Sequence, residues 1–369
     1  MKVLLLGEFS NVHWTLAEGL RELGHQVTVI SDGDGWKDYA RDITLKRTTH
    51  SLPETCRFLA KLLHTLPQMR GYDVVQLINP VFLPLKAERM FPIYNYLRKH
   101  NRSVFLGAFG MDHFWVKAGL DCRTFRYSDF NIGQTIRTYR ENAIWIADWL
   151  KGRKGELNKY IADDCDGIVS GLYEYDASYR PYYNDKLRFI PFPIKCNAPT
   201  SPEVRRNREK VRFFIGIQKA RNEYKGTDIM LRALRQIERK WHSQCEVVCV
   251  ESVPFQTYQS LMDSCDIILD QLYSYTPAMN ALQAMSKGLV VVGGGEPENY
   301  QILHEEELRP IINVLPYYEA VYDRLDRLME EKERIPSLSE QSIRYILKHH
   351  EYRKVAGRYV DFWSSRLPK

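Results

Sequence analysis

The 369-residue chain has no apolar run of membrane-spanning length, which would take roughly 20 residues, and no Lys/Arg block or finger motif. From the first absence we expect no transmembrane helix. Together with the lack of a signal-peptide pattern at the opening MetLysValLeuLeuLeu, it leads us to expect a cytoplasmic protein with at most peripheral membrane contact. The second absence argues against nucleic acid as a partner. Paired cysteine spacing is missing too. Cys56, Cys122, Cys165, Cys196, Cys245, Cys249 and Cys265 are scattered and odd in number, as expected of a reducing compartment. Cys245 and Cys249 lie in an apolar strand-like run and read as core residues, not metal ligands. The turn after the first strand lacks Gly-x-Gly-x-x-Gly, which counts against a dehydrogenase.

The length suffices for two domains, each with a sizeable core, and 44% hydrophobic with 27% charged residues is ordinary for a folded soluble protein. A net charge of +6 suits an acidic ligand such as a nucleoside diphosphate, or an anionic membrane surface; a mildly basic surface without further meaning is the alternative.

In the first half, apolar runs at 2–6, 26–30, 74–78, 103–107, 167–170 and 187–190 predict strands. Helical patterns intervene: Val12, Leu16, Leu20 and Leu23 ended by Gly24, then about 54–66, 83–99 and 134–150. This alternation predicts a parallel sheet. The segment 122–131 is aromatic and polar without period and suits an exposed loop. Pro191 to Ile194 and the polar stretch 197–210 suit a crossing into a second domain. Strands at 211–215, 245–250, 267–269 and 289–292 follow, with helices between them and at 314–331, 337–348 and 349–365.

The densest information lies between Cys265 and Glu298. Two apolar strands flank one helix, for which Thr276 can serve as N-cap and Pro277 as first residue; Ala278, Ala281, Leu282 and Met285 form its buried stripe and Gly288 its stop. The amides of Ala278, Met279 and Asn280 would then face out of the carboxyl edge of a parallel sheet, where an anion is favoured. A plain strand-helix-strand unit with nothing bound is the alternative.

This stretch resembles the donor-binding core of GT-B-fold glycosyltransferases, in particular the retaining family typified by sucrose and glycogen synthases. That family carries Glu, seven residues, Glu, then Ala-Met-Ala-x-Gly and an apolar strand. AlaMetSerLysGly at Ala284 to Gly288, followed by LeuValValVal, matches the second part, while Tyr275 and Gln283 stand at the two glutamate positions. Further matches are the Gly-rich strand exit at Gly216 with Arg221 and Lys225-Gly226 behind it, the Leu-Asp-Gln form at Asp270, and Gly-Gly-x-x-Glu at Gly294 to Glu298. The resemblance implies an α/β GT-B fold, two Rossmann-like domains facing a cleft. Residues 1–195 with a crossing helix at 349–369 would form the acceptor domain, and 196–348 the donor domain.

By the same resemblance, Arg221 and Lys225 would neutralise a donor diphosphate. Gly7, Gly216, Asp270, Tyr275, Thr276, Pro277, Ala278, Met279, Asn280, Gln283, Glu296 and Glu298 would surround the donor, with Glu296 or Glu298 replacing the carboxylate missing at Tyr275. His13 would face the acceptor. Asp112 and His113, in a segment similar to a His-Gly-Ser-Asp region of the family, would bind sugar hydroxyls or act as general base; an Asp-His pair capping the next helix is the alternative. The implied reaction moves a sugar from a nucleotide-diphosphate sugar to a glycan or lipid-linked acceptor, with retention, no cofactor and no metal. Asp32-Gly33-Asp34 lies on the wrong domain for a metal signature. Tyr275 and Gln283 motivate a second reading, a sugar- or nucleotide-binding descendant without catalysis; a GT-B nucleotide-sugar epimerase is a third.

Overall fold

The computed structural model describes residues 1–49, 51–196, 209–218, 222–251 and 253–368. The chain divides into two compact units. One comprises Met1–Asp121, Tyr139–Pro193 and Tyr352–Lys369, and the other Cys122–Thr138 and Ile194–Glu351.

In the first unit, β1 (Lys2–Leu6), β2 (Gln26–Ser31), β3 (Ile43–Thr44), β4 (Val74–Leu77), β5 (Ser103–Ala108), β8 (Gly167–Ser170) and β9 (Leu187–Phe189) form one parallel sheet. The order is β3-β2-β1-β4-β5-β8-β9, so the winding reverses between β1 and β4. All six residues of β5 and four of the five in β1 are buried, because helices cover both faces of such a sheet and leave no side for polar alternation. The helix Val12–Glu22 packs against the last helix, Tyr352–Arg366. Trp363 is fully buried there, against the rings of Phe105 and Tyr359, and its indole N–H donates to Gln76 Oε1 at 3.3 Å. The C-terminal helix is thus part of the first unit's core.

Two sequence expectations are corrected here. Residues 134–150 do not form one helix. Asn131–Ile132 (β6) and Thr135–Ile136 (β7) pair as a small antiparallel hairpin turned by Gly133, and the helix begins only at Arg140, running to Ile146 and on through a widened turn to Lys151. The hairpin's whole segment, Cys122–Thr138, belongs to the second unit and not to the first. The remaining boundaries fall at Pro193 and Glu351, and the proposed linker lies mostly outside the described residues.

The second unit holds β10 (Val211–Ile217), β11 (Cys245–Glu251), β12 (Ile267–Leu269), β13 (Val290–Gly293) and β14 (Ile312–Asn313), parallel in the order β11-β10-β12-β13-β14. Its winding reverses between β10 and β12. Met230, Ala233, Leu234 and Ile237 of the helix Thr227–Lys240 pack with Val321, Leu325 and Leu328 of Tyr318–Glu330 into one core. Among the described residues no helix is long and apolar enough to cross a membrane.

A buried ion pair pins the end of this unit. Glu305 is 2% exposed and accepts from His349, Lys348 and the amides of Glu307 and Leu308. Burial alone would raise its pKa, but these donors outweigh it and hold the group at about 2, below an ordinary 4.5. A depressed carboxyl contributes stability above its unfolded pKa, and that contribution is lost as pH falls through the folded value. Between about pH 4.5 and 2, the second unit should therefore lose on the order of 2–3 kcal/mol that Glu305→Gln does not lose, read as urea midpoints at pH 5.5, 4 and 3. Parallel profiles for the two proteins would refute this.

Candidate functional site

The carboxyl edge of the second sheet collects the residues that the sequence singled out. At Gly216, near the end of β10, the ring of Tyr258 lies so close that a Cβ would sit 2.6 Å from it; only glycine admits this contact. The Tyr258 hydroxyl donates to Asn280 Oδ1 (3.2 Å), and Asn280 Nδ2 donates to Asp270 Oδ1 (3.0 Å). Asp270, just past β12, is 8% exposed. Burial raises its pKa, opposed by the positive charge of Lys225 and by the Asn280 amide. Lys225 ends the short helix Asn222–Lys225, and its carbonyl accepts from the Leu272 amide at 2.9 Å. Lys225, Asp270 and Asn280, from three separate segments, thus meet at one place. Arg221 lies outside the described residues.

The helix after β12 starts later than the sequence pattern suggests. It runs from Met279 to Ser286, with Ala278 as its cap residue and no side-chain cap, so Thr276 and Pro277 precede it. The Ser274 hydroxyl, bonding to the Thr276 carbonyl (2.5 Å), holds the approach to the helix. The amides of Met279 and Asn280 still open the helix. Gln283, within this helix, is half-buried, with its backbone carbonyl accepting from the Ser286 hydroxyl (2.7 Å).

Tyr275, Glu296 and Glu298 come together, but around a fourth residue that sequence reasoning missed. Arg126, on the segment Cys122–Thr138, donates through Nη1 to Glu298 Oε1 and through Nη2 to Glu298 Oε2 (3.1 Å) and Glu296 Oε2 (2.9 Å). Its backbone N–H donates to the Tyr275 hydroxyl (2.7 Å), and its guanidinium lies 4.8 Å from that ring. The Tyr127 hydroxyl donates to Glu296 Oε1 (2.6 Å), which also receives Asn313 Nδ2 (2.9 Å). Burial resists ionisation of Glu298, and the Arg126 guanidinium overcomes it, holding the carboxyl below its usual range. The same segment spans further: Tyr224 donates to Asp129 Oδ2 (2.6 Å), and Arg137 covers the Tyr273 ring at 3.3 Å and donates to the Glu223 carbonyl (2.8 Å). One hairpin thereby holds the loops after β10, β12 and β13. Its only sequence signal was an aromatic and polar run without period.

In the first unit, Gly7 leaves β1 with φ +82°, and a Cβ there would meet Ile78 at 2.3 Å. His13 is fully buried, its Nδ1 donating to the Gly7 carbonyl at 2.8 Å. A carbonyl only accepts, so the proton sits on Nδ1 and Nε2 is a bare acceptor; that atom is buried without a partner. Burial pushes the His13 pKa down to about 3, leaving the ring neutral. Glu8, not anticipated from sequence, accepts from the amides of His13 and Trp14, and burial raises its pKa to about 8. Asp112 is fully buried; Oδ1 caps the helix His113–Leu120 by accepting from the Trp115 amide (2.9 Å), and Oδ2 accepts from the Tyr179 hydroxyl (2.7 Å). Both oxygens are spent, which is the capping alternative and not that of a free base, although burial raises the carboxyl to about 7. His113 Nδ1 bonds the Trp149 carbonyl at 2.8 Å, which again leaves Nε2 as the acceptor, and burial lowers its pKa.

Beside Glu296 in the second unit opens a cavity of about 410 Å³, lined by Asn313, Leu315, Tyr317, Asp323, Arg324 and Arg327 among others. Among the described residues no cluster of three or more His, Cys, Asp or Glu side chains could hold a metal ion.

No family model matches the sequence, and no curated protein is significantly similar to it. Solved structures are similar in fold. Sucrose-phosphate synthase from Thermosynechococcus elongatus superposes with a TM-score of 0.66 at 13% identity, covering 99% of this chain and 98% of that one. HepE from Anabaena, in complex with UDP and glucose, gives 0.60 at 10% identity over 99% and 100%. WaaG, a glycosyltransferase involved in lipopolysaccharide biosynthesis, gives 0.58 at 12% over 99% and 100%. Two parallel sheets with these windings, matched from end to end, give this chain the GT-B fold of those glycosyltransferases.

Proposed function

We propose that the protein transfers a sugar from a uridine diphosphate sugar to a saccharide or lipid-linked glycan acceptor, with retention and without a metal or cofactor. The observation that carries this reading is the meeting of Lys225, Asp270 and Asn280 at the opening of the Met279–Ser286 helix, on the edge where the sheet's winding reverses. Ligands of open α/β sheets bind at such edges, and helix amides with a lysine suit a diphosphate. The similarly folded HepE has been solved with UDP and with UDP-glucose. In the reaction, the bond from sugar C1 to the β-phosphate oxygen breaks and the diphosphate gains charge, which Lys225 and the helix amides stabilise. The acceptor hydroxyl forms the new bond to C1 and its proton passes to the departing phosphate. In the first unit, the Nε2 of His113 is an acceptor suited to an acceptor hydroxyl, whereas that of His13 is buried.

The test is a thermal-shift and calorimetric titration with UDP, GDP and ADP, followed by acceptor-dependent UDP release from UDP-sugars. A nucleotide at 100 times its Kd should add about 2.7 kcal/mol of stability. Failure of every nucleoside diphosphate to bind at millimolar concentration would sink the reading. The engaged phenol of Tyr275 and the amide at Gln283 favour one rival, binding without transfer, which predicts UDP affinity but no UDP release with any acceptor.

A further inference from the structure

The cavity beside Glu296 adjoins a second one. The larger holds about 410 Å³ and the smaller about 130 Å³, and Arg324 and Arg327 of the helix Tyr318–Glu330 line both. Three residues apart on one helix, their side chains start about 5–6 Å from each other. Among the described residues neither guanidinium has a hydrogen-bond or ion-pair partner. Asp323 stands four residues before Arg327, a spacing at which such pairs form, and does not take it. Asp326 is engaged by Lys240 and Trp241, and Arg334, the third arginine of the smaller cavity, by Glu331. Glu331 and Arg334 therefore cancel, and two positive charges are left over an apolar floor of Ile312, Leu328 and Leu338. Like charges held side by side repel, and an anion from outside relieves that repulsion.

We infer that Arg324 and Arg327 bind the phosphate of a phosphomonoester whose body carries hydrogen-bond donors, as a sugar phosphate does. A planar guanidinium fork takes two acceptor oxygens, so the two oxygens of a carboxylate fill one fork. A phosphate brings three terminal oxygens and a charge of about −2 to two forks. The smaller cavity suits the phosphate. The larger, within the size range of small-molecule sites, suits the body. There Glu319 and Asp323 present carboxylates that no described residue engages, which accept from hydroxyl or ammonium donors, and Leu315 and Tyr317 give the carbon skeleton an apolar flank. All these residues belong to the second unit. Lys225, Asp270 and Asn280 line neither cavity, so this site is separate from the one proposed for the donor and stands whether or not the chain transfers a sugar.

The experiment is calorimetric titration of inorganic phosphate, phenyl phosphate, glucose 6-phosphate and glucose into the full chain, as wild type, Arg324→Gln, Arg327→Gln, Asp323→Ala and Lys225→Ala. Wild type should bind glucose 6-phosphate about tenfold or more tighter than inorganic or phenyl phosphate, the size of one hydrogen bond to a charged group, and should not bind glucose at millimolar concentration. Each arginine substitution should weaken glucose 6-phosphate by about tenfold or more. Asp323→Ala should weaken glucose 6-phosphate but not inorganic phosphate. Lys225→Ala should leave glucose 6-phosphate affinity within about twofold, which separates this site from a diphosphate site. Both arginines are exposed and have no described partner, so an unchanged melting temperature should accompany each loss and show that the fold is intact. Four results overturn the inference: no phosphate compound binding at millimolar concentration, glucose 6-phosphate binding undiminished in both arginine variants, inorganic or phenyl phosphate binding as tightly as glucose 6-phosphate, or binding lost in Lys225→Ala.

Discussion

Replacing Lys225 with alanine is expected to lower kcat by roughly 10²–10³, the usual cost of removing one group that stabilises developing negative charge. The Lys225 charge opposes the raised pKa of Asp270, and Lys225 ends the short helix whose carbonyl holds the loop after β12. In the proposed reaction its charge would meet the departing diphosphate more strongly in the transition state than in the bound donor, so kcat should fall more than KM rises. Steady-state kinetics with a UDP-sugar donor check this. Removing the charge also strips Asp270 of a partner that opposes its raised pKa, so Asp270 should take up its proton at a still higher pH in the variant. Unchanged kcat would remove Lys225 from the diphosphate site.

Substituting Trp363 with alanine should destabilise the first unit by roughly 3–5 kcal/mol. The indole is fully buried between Phe105 and Tyr359 and bonds Gln76 through its N–H. Truncation leaves a cavity under β5 and an amide oxygen of Gln76 without its donor, and the two costs add. Because the last helix packs on Val12–Glu22, the helix that follows β1, the loss should also loosen the strand end carrying Gly7, Glu8 and His13. Urea unfolding followed by tryptophan-independent circular dichroism measures the first effect. Hydrogen exchange at Val12–Glu22 measures the second. A variant with wild-type midpoint would show that the terminal helix contributes little to the core.

Much of the architecture was legible because it is local. Strands buried on both faces must read as apolar runs, and the covering helices must repeat every three or four residues, so β1, β4, β5, β10, β12 and β13 stand out in the sequence. Glycines at 7 and 216, Asp270 at a strand exit and Asn280 at a helix opening were likewise visible, since each sits at a fixed offset from a strand end. The resemblance to GT-B enzymes drew on those same offsets.

What the tertiary structure alone decided are the partners of each polar group, because these come from far along the chain. Asp112 could have been a base or a cap by its sequence; Tyr179, 67 residues away, takes its second oxygen and leaves the capping role. The sequence does not say what Glu296 and Glu298 pair with; Arg126, 170 and 172 residues away, donates to both. Residues 134–136 carry apolar spacing that suits the start of a helix, and only the pairing of 131–132 with 135–136 makes them part of a hairpin. Local periodicity specifies elements, since backbone hydrogen bonding and burial act over a few residues. The partners of a polar group depend on which long-range donors reach its acceptors, as Arg126 reaches Glu296 and Glu298.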